Sequence, residues 1–196
     1  MKAKLRLNRS NWQIFLLLLL PILFASLFSC AGKTATGKSG KQLEVVPLER
    51  AYENIFFDTF ETTETIKKDY PQAVIECQAS AISWLNMKNV FSRVEKNKGK
   101  AKFDDNTLLV KAQITEMRIV SGSARFWGGA FAGSSNINLK IKLIDASSGN
   151  EVREKELSSA TNPFAAAWTM GATDKSLPSD MGKILAEYLL VAVPHK

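Results

Sequence analysis

The spacing of apolar residues changes several times along the chain, and each change marks an element. Residues 14–28, IFLLLLLPILFASLF, are an almost unbroken apolar run with no polar face. Asn54-Ile-Phe-Phe-Asp-Thr-Phe60 places apolar side chains on both faces, which predicts a strand covered on both sides. From Pro71 the steps become i, i+3, i+4 through Val74, Cys77, Ala81, Trp84, Leu85 and Lys88, an amphipathic helix with Pro71 near its first turn. Val90 to Glu95 reads as a second strand. Strict alternation follows: Leu108, Val110, Ala112 and Ile114 against Lys111, Gln113 and Thr115, then Ile137, Leu139, Ile141 and Leu143 against Asn138, Lys140 and Lys142. Asp145 to Asn150 is a turn, and Glu151 to Leu157 returns as a charged, edge-like strand. Met181, Ile184, Leu185, Tyr188, Leu189 and Ala192 form one helical stripe after Leu177-Pro178. The order β-α-β-β-β-β-α predicts an α+β fold, an α/β sandwich formed by a single domain over residues 43–196. Its sheet is mostly antiparallel in the second half, with both helices on one face.

The apolar run at the N-terminus is shorter than the roughly 20 residues a spanning helix needs, and Pro21 interrupts it. Lys2, Lys4, Arg6 and Arg9 precede it without any acid, which makes it the h-region of an export signal. Leu27-Phe28-Ser29-Cys30-Ala31 then resembles the bacterial lipobox. That resemblance implies cleavage after residue 29, acylation of Cys30 and a membrane anchor of two or three acyl chains, palmitate among them, which suffices for stable attachment. The competing reading is an ordinary signal cut near Ala25 or Ser29, with Cys30 incidental. Because Ala31 rather than Asp follows the cysteine, the resemblance also implies the default route to the outer membrane of a Gram-negative cell, with the body facing the periplasm.

Residues 30–42 read as the lipidated cysteine and a flexible linker. The linker contains Gly32-Lys-Thr-Ala-Thr-Gly37-Lys38-Ser39, a literal match to a phosphate-binding loop. Such a loop needs a strand before it and a helix after it, so that converging N–H groups meet the phosphates. Neither is present in the pattern, and a nucleotide role is rejected.

Composition narrows the chemistry. There are 26 Lys+Arg against 19 Asp+Glu, a formal net charge of +7, but four of the basic residues lie in the first 29. The remainder, 22 basic against 19 acidic, is not a polyanion binder, so no nucleic-acid partner is expected. The Lys96-to-Lys102 run reads as a solvated hairpin tip. One His, at position 195, and two Cys supply neither a base for a nucleophile nor a metal cluster, so no metal and no cofactor are expected. Cys77 sits on an apolar stripe and reads as a structural thiol. Glu116, Asp145 and Asp174 are the carboxylates that a glycan hydrolase would use, although carboxylates ending strands more often cap turns.

Two segments are unusually apolar for loops. Ser121 to Ser135 carries Arg125, Phe126, Trp127, Gly128, Gly129, Phe131 and Gly133, and Asn162 to Gly171 carries Trp168. Either they fold back over the open end of the sheet, or their aromatics form a lip for a partner or ligand. Arg125 either recognises an anion beside Phe126 and Trp127 or ties down the glycine loop. The run Leu109 to Met117, Ser123-Ala-Arg125, Gly128-Gly129, Gly133 and the phrase Leu143-Ile-Asp145-Ala-Ser-Ser-Gly149 resemble the bacterial lipoprotein family called domain of unknown function 4410, over roughly residues 50–193. Ser148 stands where that family commonly has Thr. The resemblance implies an α/β sheet domain of the envelope, with Gly128, Gly129, Gly133, Asp145 and Gly149 as a structural turn motif, and brings no catalytic residue. The reading that follows is a non-enzymatic interaction or assembly module for other envelope proteins. The alternatives are binding of a small lipid or glycan near Arg125 and, third, an envelope hydrolase.

Overall fold

Two long strands with strict alternation lie at the middle of the sheet. In the computed structural model, which describes residues 45–99, 102–162, 169 and 171–195, these are β4 (Thr107–Arg118) and β5 (Asn136–Asp145). They pair antiparallel, setting Val110 against Leu143, Ala112 against Ile141 and Ile114 against Leu139. All six side chains are buried on one face. Lys111 against Lys142 and Gln113 against Lys140 occupy the other face. A register shift between Ile114 and Glu116 brings Met117 opposite Ile137, so the apolar face continues past the irregularity. β6 (Glu151–Ala160) pairs antiparallel with β5.

The first half of the sheet is parallel. β1 (Asn54–Phe57) lies between β3 (Arg93–Lys96) and β4 and is parallel to both. The expected strand through Phe60 is interrupted: β2 (Glu61–Thr62) resumes pairing farther along β4, after a break at residues 58–60. At that break the Asp58 carbonyl accepts a 2.5 Å hydrogen bond from Gln78 Nε2, and its carboxylate accepts from Asn97. Coverage on both sides, inferred from the aromatic run, is realised. Ile55 and Phe57 join the main core, whereas Phe56 turns to the other side, 2% exposed and edge-on to Phe103 at 5.2 Å. The strand order is β3-β1-β4-β5-β6.

Helices form the second layer. α1 (Glu64–Asp69), capped by the Thr63 hydroxyl, was not evident from spacing because only Ile66 of its residues is buried. α2 (Ala73–Lys88) buries Ala73, Cys77, Ala81 and Leu85 and ends on Asn89 in the left-handed conformation, φ 52°. Two elements interrupt the segment read as a loop: α3 (Gly122–Gly128) and a 3₁₀ turn (Gly129–Ala132). A short α4 (Ala172–Lys175) leads into α5 (Leu177–Ala192), whose buried side chains include Met181, Leu185, Tyr188, Leu189 and Ala192. α2 and α5 pack closely where Gly182 meets the α2 backbone; a Cβ there would lie 2.3 Å from the Cys77 carbonyl oxygen. The architecture is the α+β sandwich expected, with β6 extending to Ala160 rather than Leu157.

Candidate functional site

Ser121 opens α3 by accepting a hydrogen bond from Ala124 N, an N-cap that fixes where the helix begins. The seven-residue helix then divides its side chains sharply. Arg125 points inward and is 2% exposed, while Phe126 is 65% and Trp127 84% exposed. Phe131, on the 3₁₀ turn, is fully exposed. Phe126 and Trp127 meet edge to face at 5.1 Å, so the helix carries a two-ring prow with a third ring beyond it. Gly129 opens that turn and Gly133 follows it, with φ of 51° and 87°, conformations strained for any L side chain. Arg118 spans the turn from below, donating to the Ala132 and Ser134 carbonyls.

What holds this element is a buried ion pair. Arg125 Nε and Nη2 donate to Asp174 Oδ2 and Oδ1 at 2.7 and 2.9 Å, and neither side chain is exposed. Asp174 Oδ1 also accepts from the Ser135 hydroxyl at 2.6 Å and the Thr161 hydroxyl at 2.9 Å. Ser135 Oγ in turn accepts from Val120 N. One carboxylate therefore gathers α3, the start of β5, the end of β6 and α4. The Arg125 hydrogen bonds hold the Asp174 carboxyl below the usual carboxylate range, outweighing burial, with help from Ser135 and Thr161. The same bonds push Arg125 up. A bidentate, fully satisfied pair is the arrangement in which a buried charge is tolerable.

A second cluster lies at the other end of β5. Asp145 accepts from Arg50 Nη1 at 2.6 Å and from the Tyr52 hydroxyl at 3.1 Å. It also accepts from the backbone N–H and hydroxyl of both Ser147 and Ser148. Burial raises its carboxyl, but the bonds from Ser147, Ser148 and Tyr52 and the charge of Arg50 more than offset that and leave it well below the carboxylate range. Tyr52 is pushed up to about 12 by burial and by the Asp145 carboxylate. Gly149, φ 73°, closes the turn with its N–H on the Asp145 carbonyl. The Asp-x-x-Ser-Gly phrase is thus a turn whose aspartate also ties the N-terminal strap, residues 45–53, to the sheet.

The structure puts Asp145 at the opposite end of β5 from Glu116 and buries Asp174. Glu116 accepts from Asn136 and Asn138 at one end of β5. Asp145 ends the same strand, about seven residues or roughly 23 Å away. Glycoside hydrolysis needs two carboxyls about 5–10 Å apart. Asp174 is enclosed by its partners. Arg125 faces inward rather than toward a ligand at the loop surface, and its guanidinium is occupied. An open cleft lies elsewhere, on the bare sheet face, lined by Asp58, Glu61, Lys111, Gln113, Lys140 and Lys142. Its lysines are paired with Asp58, Glu151 and Glu154. Another cleft opens beside Arg50 and Arg153. Trp168 and Cys30, with the linker, lie outside the described residues. Sequence reasoning singled out Arg125 and its aromatics but missed the pairing with Asp174; no local spacing links residues 49 positions apart. Among the described residues no group of three or more His, Cys, Asp or Glu could hold a metal ion.

A two-layer α+β domain with an outward aromatic helix on a buried Arg–Asp clamp is the class that fold and site define. The chain belongs to the family described as a domain of unknown function (DUF4410), whose model matches residues 38–167. That match starts earlier and stops sooner than the 50–193 span read from motifs. Among curated proteins no sequence matches. Of the solved structures it resembles, the PelC dodecamer from Paraburkholderia phytofirmans has a TM-score of 0.51 at 14% identity, covering 76% of this chain and 94% of that one. Protein XCC0632 from Xanthomonas campestris gives 0.47 at 13%, covering 74% and 90%. A minor lipoprotein from Acinetobacter baumannii gives 0.37 at 8%, covering 74% and 98%. At these identities the likeness concerns fold alone. No helix among the described residues is long and apolar enough to cross a membrane.

Proposed function

We propose that this chain is an outer-membrane lipoprotein, acylated at Cys30, whose periplasmic domain acts without catalysis as an interaction module for other envelope proteins. The observation that carries the reading is the lip itself. Three aromatics within six residues, Phe126, Trp127 and Phe131, stand exposed on an element whose base is clamped by Arg125 and Asp174. Aromatic side chains on a rigid support are what interface hot spots are made of, because little ordering entropy remains to be lost. The segment from Ser121 to Ser135 holds no acid and one inward-facing base, so docking there desolvates little charge. The test is in-cell crosslinking with affinity purification from membranes. Wild type is compared with Phe126→Ala/Trp127→Ala and with Cys30→Ser. Specific partners are expected with wild type, and lost in both variants. Full recovery of the same partners by the double-alanine protein overturns the proposal.

A further inference from the structure

β6 is a sheet edge: among the described residues it pairs only with β5. In an antiparallel ladder alternate residues turn their N–H and C=O groups away from the partner, so ten residues present a row of unpaired groups on the far side. Charge along that row is uneven. Glu151, Arg153, Glu154, Lys155 and Glu156 crowd the first six positions, and Leu157-Ser-Ser-Ala160 carries none. Edge charges discourage pairing, so the first half is protected and the second is not.

We infer that this edge is an interface between two copies of the chain, their β6 strands antiparallel about a two-fold axis at Leu157. Charge selects the register. A two-fold axis perpendicular to the sheet places residues of the same face opposite each other. An axis at Lys155 would set Glu154 against Glu156, and Lys155 against its own copy. An axis at Glu154 would set Arg153 against Lys155. An axis at Glu156 would set that glutamate against itself. At Leu157 every like-charge pair disappears: Leu157 meets its copy, Glu156 meets Ser158, Lys155 meets Ser159 and Glu154 meets Ala160. Moving on to Ser158 shortens the ladder to residues 156–160. Leu157 therefore gives the longest charge-compatible pairing, residues 154–160, and brings two core-facing leucines together at the seam. The paired residues, 154–160, include none of the lip aromatics Phe126, Trp127 and Phe131.

The experiment uses the full chain solubilised from membranes in detergent. Sedimentation is expected to show a concentration-dependent dimer. Ser159→Lys creates two Lys–Lys oppositions and is expected to weaken association roughly tenfold, whereas Ser159→Glu faces Lys155 and retains it. Circular dichroism matching wild type shows that both variants are folded. Glu154→Cys combined with Ala160→Cys reads the register directly. The two positions are about 20 Å apart along one strand, beyond disulfide reach, but directly opposite across the axis. A covalent dimer on a non-reducing gel is therefore expected under oxidation. A monomer at all concentrations, a Ser159→Lys protein that associates as tightly as wild type, or a double-cysteine protein that stays monomeric each overturns the inference.

Discussion

Arg125 and Asp174 hold each other in a site where neither side chain meets solvent, so removing one leaves the other charged and unpaired. Arg125→Leu is expected to lower stability by about 3–5 kcal/mol, read as a shifted urea midpoint. The double change Arg125→Leu/Asp174→Leu is expected to lie closer to wild type than Arg125→Leu alone, since no charge is stranded. Asp174 and Asp145 both titrate below the ordinary carboxylate value in the folded chain. Their contribution is therefore complete above about pH 4, the unfolded value, and is lost as pH falls further. Urea midpoints measured from pH 7 to pH 3 should drop on the acid side, and Asp145→Asn should flatten that drop while lowering the pH 7 value. Tyr52 shows the opposite sign. With its hydroxyl pushed up to about 12, its contribution is complete below pH 10 and is lost between 10 and about 12.

At the level of elements, the contact between α2 and α5 depends on a missing side chain. Gly182→Ala places a methyl 2.3 Å from the Cys77 carbonyl oxygen and 2.8 Å from Ser80 Cβ, so the helices must separate. A loss of about 1–3 kcal/mol in urea unfolding is expected. Cys77 is fully buried on the same seam and pushed up to about 12 by burial. In a Cys30→Ser background a thiol reagent should label it only as the protein unfolds. These elements also show what patterning can and cannot reveal. β4, β5, α2 and α5 were legible because each repeats its period over many residues, giving burial a template to follow. α1 was not, since a single buried Ile66 has no period. α3 was hidden for a different reason: Gly122, Gly128 and Gly129 are poor helix formers, and tertiary bonds from Arg125 to Asp174 hold the turn instead. At the break after Phe57 the Asp58 carbonyl is taken by Gln78 on α2, a contact that strand periodicity cannot contain.

Across the whole molecule, the N-terminal strap, residues 45–53, is tied both to the sheet and to the last helix. Leu48 N donates to the Ala192 carbonyl, Arg50 reaches Asp145, and Arg153 donates to the Val46 and Pro47 carbonyls. Arg50→Ala removes the ion pair to Asp145 and should make the strap the first site of limited proteolysis, ahead of the helices, although Leu48 and Tyr52 still anchor it in the core. This strap lies at the Asp145 end of β5, and the clamp under the lip lies at the Ser135 end, roughly 30 Å away along a ten-residue strand. That polarity puts the lip and the start of the described chain at opposite ends of β5. With Cys30 as the proposed anchor, the lip's effective concentration is highest for targets at a distance from that anchor that the intervening chain can span. Capture should then respond to linker length as a peaked function: truncation or long insertion in residues 31–42 would both detune it, with every contact in the domain left unchanged.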